Sequence, residues 1–334
     1  MVTLNTKQLI RFVRLVETIA VFTVVARAQY PGSGTPAGGT TSGGKAAGGV
    51  TSVYNFNSTY HTGFNSPEGW GLKYFASTML LSGLQPPEPE GHRVGSVTVG
   101  LEMGWLPTLD AGQRQIGFGG KAPEDLNQSP FFARPVVRVG LPAKFTAVVA
   151  APPPFHLLGV TSHLIAFGLE RPILERKQWT LSWRGYGQLG SIKGAFTCPT
   201  SALAFEPGSP GNPTECVGKS ADVSTLRYAG SEFQFAYRIP GMPKVIPHVA
   251  AGGNFIDGAF QVHAPVADGL DRTRLWTHGG TFSGSAGLSY LLTKRAAITV
   301  DAFYTPLFVQ RSPNAPTTND GLFNVRALLS YTIR

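Results

Sequence analysis

From Trp276 to Leu292 the chain reads WTHGGTFSGSAGLSYLL, and its even positions are nearly all apolar or small. They are Trp276, His278, Gly280, Phe282, Gly284, Ala286, Leu288, Tyr290 and Leu292. Between them stand Thr277, Thr281, Ser283, Ser285 and Ser289. After Thr293-Lys294-Arg295 the alternation resumes, with Ile298, Val300, Ala302 and Tyr304 set against Thr299, Asp301 and Thr305. The last segment sets Phe323, Val325, Ala327, Leu329, Tyr331 and Ile333 against Asn324, Arg326, Ser330 and Thr332. A period of two marks a strand with one apolar and one polar face, because successive side chains leave a pleated chain on opposite sides.

The same rhythm runs upstream. Val97, Val99, Leu101, Met103 and Trp105 alternate with Ser96, Thr98, Gly100, Glu102 and Gly104. Pro135 to Leu141 and Phe145 to Ala151 form a short hairpin around Pro142-Ala143-Lys144, after a polar loop that runs to Ala133. Gly159 to Leu174 and Trp179 to Phe196 form the next pair. Thr225 to Ile239 and Val245 to Val262 form another, around Pro240-Gly241-Met242-Pro243. The reading predicts about ten strands, or twelve if residues 51–84 contribute two. Composition agrees: charged residues make up only 14%, with 41 Gly and 21 Phe, which suits pleated sheets better than helices. The net charge of +9 is spread along the chain rather than clustered, so nucleic acid is not an expected partner.

The N-terminus has the form of an export signal. Lys7, Arg11 and Arg14 precede an apolar run, Leu15 to Val25, and Ala26-Arg27-Ala28 offers small residues for cleavage, so the mature chain is expected to begin at Gln29. Residues 29–50 are Gly, Ser, Thr, Pro and Ala, a composition that cannot bury a core and predicts a disordered, flexible leader. Within it, Gly39 to Lys45 nearly spells a phosphate loop, but Ala46 stands where a hydroxyl is needed and no strand precedes it. In residues 51–92, Ser66-Pro67-Glu68 is a helix start: a capping hydroxyl, Pro at the first helical position and an early carboxylate. A short helix follows from it, lying in the periplasm or plugging a barrel mouth. The shared parity of Trp70, Leu72, Tyr74, Ala76 and Leu80 leaves a strand open there.

The connections decide what residues 93–334 enclose. They alternate between short turns and longer loops, so that every short turn falls on one side of the sheet. That asymmetry belongs to barrels with short periplasmic turns and longer external loops. Under the same phases, Trp105, Trp276, Phe308 and Phe323 lie near external ends on the apolar face, while Trp179, Tyr237, Tyr290 and Tyr331 lie near periplasmic ends. Amphipathic rings at both ends form girdles at a bilayer's two interfaces. With its signal, alternating strands and the terminal Leu328-Leu329-Ser330-Tyr331-Thr332-Ile333-Arg334, the chain resembles the bacterial outer-membrane β-barrel class. The resemblance implies an all-β fold, an antiparallel up-and-down transmembrane barrel in the outer membrane. It also implies contact with outer-membrane lipid and with the barrel-assembly machinery. Such barrels commonly end in an aromatic residue, and this chain ends in Arg334.

Candidate chemistry is sparse. Cys198 and Cys216 fall in one external loop, and in an oxidising envelope they are expected to pair. No further metal ligand stands beside them, and no metal or cofactor is expected. Gly185-Tyr186-Gly187-Gln188-Leu189-Gly190 matches a dinucleotide fingerprint, yet it lies inside an alternating strand with no helix after it. Its glycines are better read as relief for neighbouring aromatics or as points of curvature. The polar face carries Glu102, Arg138, Glu170, Arg184, Glu232, Arg238, Asp301 and Arg326, which in a narrow lumen must be paired or hydrated. They predict either a structural network across the lumen or a polar path for small solutes. The corresponding functions are a structural envelope protein or a passive channel. The alternative is a binding or adhesion protein acting through loops 106–133 and 198–223. His248, His278 and Asp301 could be assembled into a hydrolase site only on paper, and the chain is expected not to be an enzyme.

Overall fold

The computed structural model describes residues 58–83, 93–117, 122–127, 129–154, 156–157 and 159–333. The expected signal peptide and leader lie outside them. Ten antiparallel strands form the wall: β1 (Val97–Trp105), β2 (Phe131–Gly140), β3 (Thr146–Ala150), β4 (Val160–Glu175) and β5 (Trp179–Gly194), then β6 (Asp222–Tyr237), β7 (Val245–Gln261), β8 (Arg274–Leu291), β9 (Ala296–Thr305) and β10 (Leu322–Thr332). Each pairs with its neighbour in sequence, and β10 closes the barrel on β1 from Arg326↔Gly104 to Thr332↔Thr98. The wall is an up-and-down barrel of ten strands, as the alternation predicts.

The two faces are inverted relative to a water-soluble protein. Ile165, Phe167, Leu189, Phe233, Val249, Phe255, Phe282 and Val300 are exposed on the outside. Thr98, Glu102, Arg138, Ser182, Arg184, Glu232, Ser285 and Arg326 are buried within. Leu164, Leu226, Ile256 and Phe303 are buried there too, so the interior is mixed, but an apolar exterior over an interior that holds so many charges is stable where the surroundings are hydrocarbon.

The wall is uneven in height. Strands β4 to β8 run 16 to 18 residues, whereas β9, β1 and β2 have 9 or 10 and β3 has five. On β8, only Gly284 to Leu291 pair with β9, so the upper residues rise past it. A short strand, Thr59–His61, runs parallel beside Arg274–Trp276 on that upper stretch. Pro135 fits inside β2, opposite Leu101, because its carbonyl faces the β3 side, where β3 has ended and Ala151 alone donates to it. A missing N–H on that side breaks no ladder bond. Strand β2 therefore starts four residues earlier than expected.

Helix α1 (Pro67–Thr78) settles the open reading of residues 66–82. Ser66 is its N-cap, accepting from the Gly69 N–H at 3.1 Å, and Pro67 opens the first turn. The strand-like parity of its apolar residues is a by-product of burial on nearly every side: Trp70, Leu72, Lys73, Tyr74 and Ala76 are all enclosed. The helix lies against β6, β7, β8 and β10 at the long-loop end of the barrel, and a side chain at Gly71 would collide with Ile116. The chain then continues through Met79 to Gly83 into the middle of the lumen.

Candidate functional site

Strand register places the inward charges in rows. Glu170, Arg184 and Glu232 stand directly opposite one another on β4, β5 and β6. Arg184 bridges them, at 2.7 Å to Glu170 and 3.1 Å to Glu232, while Arg138 reaches Glu170 at 3.1 Å. On the facing wall Glu102 and Arg134 are opposite neighbours on β1 and β2 and meet through two bonds, at 2.7 and 3.0 Å. Asp301 lies opposite both Arg326 and Gly287, and Gly287 lies opposite His248. A Cβ at Gly287 would fall inside the Asp301 carboxylate. The missing side chain lets His248 and Asp301 meet over β8 at 2.6 Å.

These charges close on the plug. Arg184 donates to the Gly83 carbonyl at 2.6 Å. Arg134 donates to the Met79 carbonyl at 2.7 Å, and Arg326 to Leu80 at 2.7 Å and Ser77 at 3.2 Å. Glu232 accepts from the Ser82 hydroxyl at 2.6 Å and from the Gly83 N–H at 3.2 Å. The Tyr228 phenol donates to the Met79 carbonyl and accepts from the Leu81 N–H, both at 2.9 Å. From the last turn of the helix onward, backbone groups of Ser77, Met79, Leu80, Leu81 and Gly83 that the helix leaves open are thus satisfied by wall side chains. The space left beside Ser82, Arg134 and Arg184 is about 20 Å³. That is room for roughly one water.

The long-loop end adds two features. A cleft of about 260 Å³ lies between α1 and the low wall, lined by Trp70, Tyr74, Trp105, Leu109 and Phe323. In the loop layer, Cys198 and Cys216 form a disulfide packed on Val262, Ala264 and Val266. Nearby, burial pushes the Glu124 carboxyl well above its usual range, with Asp222, Asp271 and Asp125 adding repulsion and Thr197 partly opposing it. The folded state then holds a proton that the unfolded chain gives up at ordinary carboxylate pH, so stability falls as pH rises from the unfolded value through the raised one. Glu124→Gln is expected to flatten that slope and raise the melting temperature by a few degrees at neutral pH, leaving it unchanged near pH 4. Thermal melts across pH check this.

The structure brings together seven of the eight expected lumen charges in the rows or on the plug. Arg238 departs: it follows β6 into the short turn, half-buried, and among the described residues no ion pair links it to the rows. Arg134 was not foreseen, because the strand was expected to start at Pro135. Its spacing of four from Arg138, which keeps strand parity, is the signal that could have found it. Ser82, Gly83 and Tyr228 carried no local mark.

Of the ring-bearing residues expected at strand ends, Trp179 and Tyr237 are opposite neighbours at the short-turn end, with Tyr290 opposite Val245 and Tyr331 opposite Ala296. Trp105 pairs with Phe131 and Phe323 with Tyr304 at the low rim. Phe308 sits in the β9–β10 loop, in a short ladder with Asn319. Trp276 stands higher, packed on His61 and His278 beyond the low rim, beside the level of the Arg227–Asp257 pair. The glycines of the false dinucleotide motif lie in β5, where Gly185 faces the Trp183 ring and Gly187 the Phe167 ring. Gly190 has φ +127° against the backbone of β4.

No protein-family model matches the chain, and no curated protein matches it. Among solved structures it is similar to the outer membrane protease OmpT from Escherichia coli, at 8% identity and a TM-score of 0.35, over 72% of this chain and 94% of that one. It is also similar to Ail, the attachment invasion locus protein of Yersinia pestis, at 11% identity and 0.29, over 72% and 99%. A third is the Pseudomonas putida toluene transporter TodX, at 9% and 0.31, over 72% and 90%. At such identities and scores nothing those proteins cut, attach to or transport carries over. The fold, from the chain's own closure and inverted faces, is that of an outer-membrane β-barrel.

Proposed function

We propose that this chain is an outer-membrane barrel held shut by its own N-terminal segment, a structural envelope protein that works through its long-loop face. The long-loop face is external and the short turns are periplasmic. The plug carries the reading: three arginines and a glutamate hold segment 77–83 across the lumen, beside a void of about 20 Å³. On this reading that grip keeps solutes larger than water from passing Ser82. The partners on this reading are outer-membrane lipid on the wall and the assembly machinery during insertion. The disulfide-closed loop supports a second reading, binding at the surface through loops 106–130 and 195–221.

The purified barrel in a planar bilayer is expected to be electrically silent. Removing residues 58–83 is expected to give discrete openings. Steady openings of the intact protein, altered by replacing Glu232, would instead mean a passive channel.

A further inference from the structure

We infer that the cleft beside α1 is a window in the low wall that takes a lipid acyl chain from the bilayer leaflet at the long-loop end. This rests on the reading that the exposed apolar band faces lipid. The window arises where β1 and β10 part. Their ladder ends at Arg326↔Gly104, although β1 runs on to Trp105 and β10 starts at Leu322. Each lip is held from behind instead: Trp105 pairs with Phe131 of β2, and Leu322 to Val325 pair with β9. Beyond them the Leu106 N–H donates to the Pro130 carbonyl and the Asp320 N–H to the Leu307 carbonyl, so each lip continues within its own loop.

The plug supplies the back of the gap. Trp70 donates its ring N–H to the Asp320 carbonyl at 3.1 Å on one lip, and Tyr74 its phenol to the Pro107 carbonyl at 3.2 Å on the other. The two rings stack, with centroids 5.4 Å apart. Their polar atoms are engaged by the lips, and ring carbon is left to line the cleft. At the mouth stand Trp105 and Phe323, both exposed on the outer face. They belong to the aromatic residues of the low rim, the level of a bilayer interface, so the mouth opens where acyl chains begin. Thr108, Gln113 and Asp320 line the cleft from the loops. Apolar towards the wall and polar towards the loops, it has the polarity of a lipid lying with its head at the interface. Its volume of about 260 Å³ is sufficient, since an apolar cavity of roughly 150 Å³ already holds benzene.

The test reads tryptophan emission in phosphatidylcholine vesicles whose acyl chains carry bromine, a contact quencher. Two full-length variants keep one tryptophan each, Trp70 or Trp183, with phenylalanine at the other positions. Trp183 stands opposite Phe233 on the outer face and reports lipid at the wall. Trp70 is fully buried, so its quenching requires a chain inside the cleft. Both are expected to lose emission relative to unbrominated vesicles, and Thr108→Phe, which fills the cleft, is expected to restore Trp70 alone. On the unsubstituted chain, a phosphatidylcholine with a photoreactive diazirine in its acyl chain is expected to attach to Tyr74 or Leu109, both buried from the wall. Quenching of Trp183 without Trp70, with adducts only on wall residues, would overturn the inference and spare the lipid-facing band. Trp70 quenching that survives Thr108→Phe would overturn it as well, as would quenching of Trp70 by acrylamide alone, the sign of a water-filled cleft. Trp70 shielded from both quenchers in a cross-linked dimer would give the mouth to a second copy of the chain instead. Silence at Trp70 and Trp183 alike would remove the band and the inference together.

Discussion

Arg184→Ala is expected to lower the stability of the barrel by about 3–5 kcal/mol, the cost of leaving buried charge unpaired. It is also expected to release the plug. The side chain is buried and satisfies three groups at once: the carboxylates of Glu170 and Glu232 and the carbonyl of Gly83. Alanine would leave Glu232 facing Ser82 with no cation beside it, and the Gly83 carbonyl would lose its donor on the tall wall. Two measurements bear on this. The denaturant midpoint in micelles should fall, and single-channel recordings should show openings absent from the parent. Arg184→Lys should recover part of the stability, since an ammonium restores the charge but cannot span both carboxylates and the carbonyl as a planar fork does. An unchanged midpoint with a silent bilayer would mean that the row of charges does not hold the plug.

The second large effect lies on the outside. Phe233 is 55% exposed and sits in β6 between Tyr237 at the short-turn end and Arg227, whose partner is Asp257. That ion pair belongs in water, so the outward residues between it and Tyr237 face the hydrocarbon, with Phe233 near the middle. Phe233→Arg is expected to cost about 2–4 kcal/mol in a bilayer, as a cation at the midplane does. Thr225→Arg, on the same face but past Arg227, is expected to cost nothing measurable. Unfolding titrations in lipid vesicles compare the two directly. If both substitutions were neutral, the exposed apolar band would not be a lipid-facing surface.

Much of the fold could be read locally. Alternation reports which side chains share a face, and it marked all ten strands. Strand bounds moved by only a few residues, as at Phe131, where Pro135 looked like a beginning because its tolerance depends on where β3 stops. Ser66-Pro67-Glu68 marked the helix start, since capping is decided within one turn. The dinucleotide spelling at Gly185 could be set aside on its own flanks. The candidate site was half legible: parity picked out Glu102, Glu170, Arg184, Glu232 and Arg326 as inward, and could not tell that Arg238, just past the end of β6, stands outside the ion-pair rows.

Order along the chain thus determined the strand pattern, the apolar exterior, the helix cap and the cysteines available to pair. Only the tertiary structure decided what the inward charges hold. The partner of Arg184 at Gly83 is 101 residues away and that of Arg326 at Leu80 is 246 away. The accepting groups there are backbone carbonyls, which every residue possesses and no side-chain pattern announces. Barrel closure and strand register bring those distant groups within 3 Å, and nothing local to either end encodes that meeting.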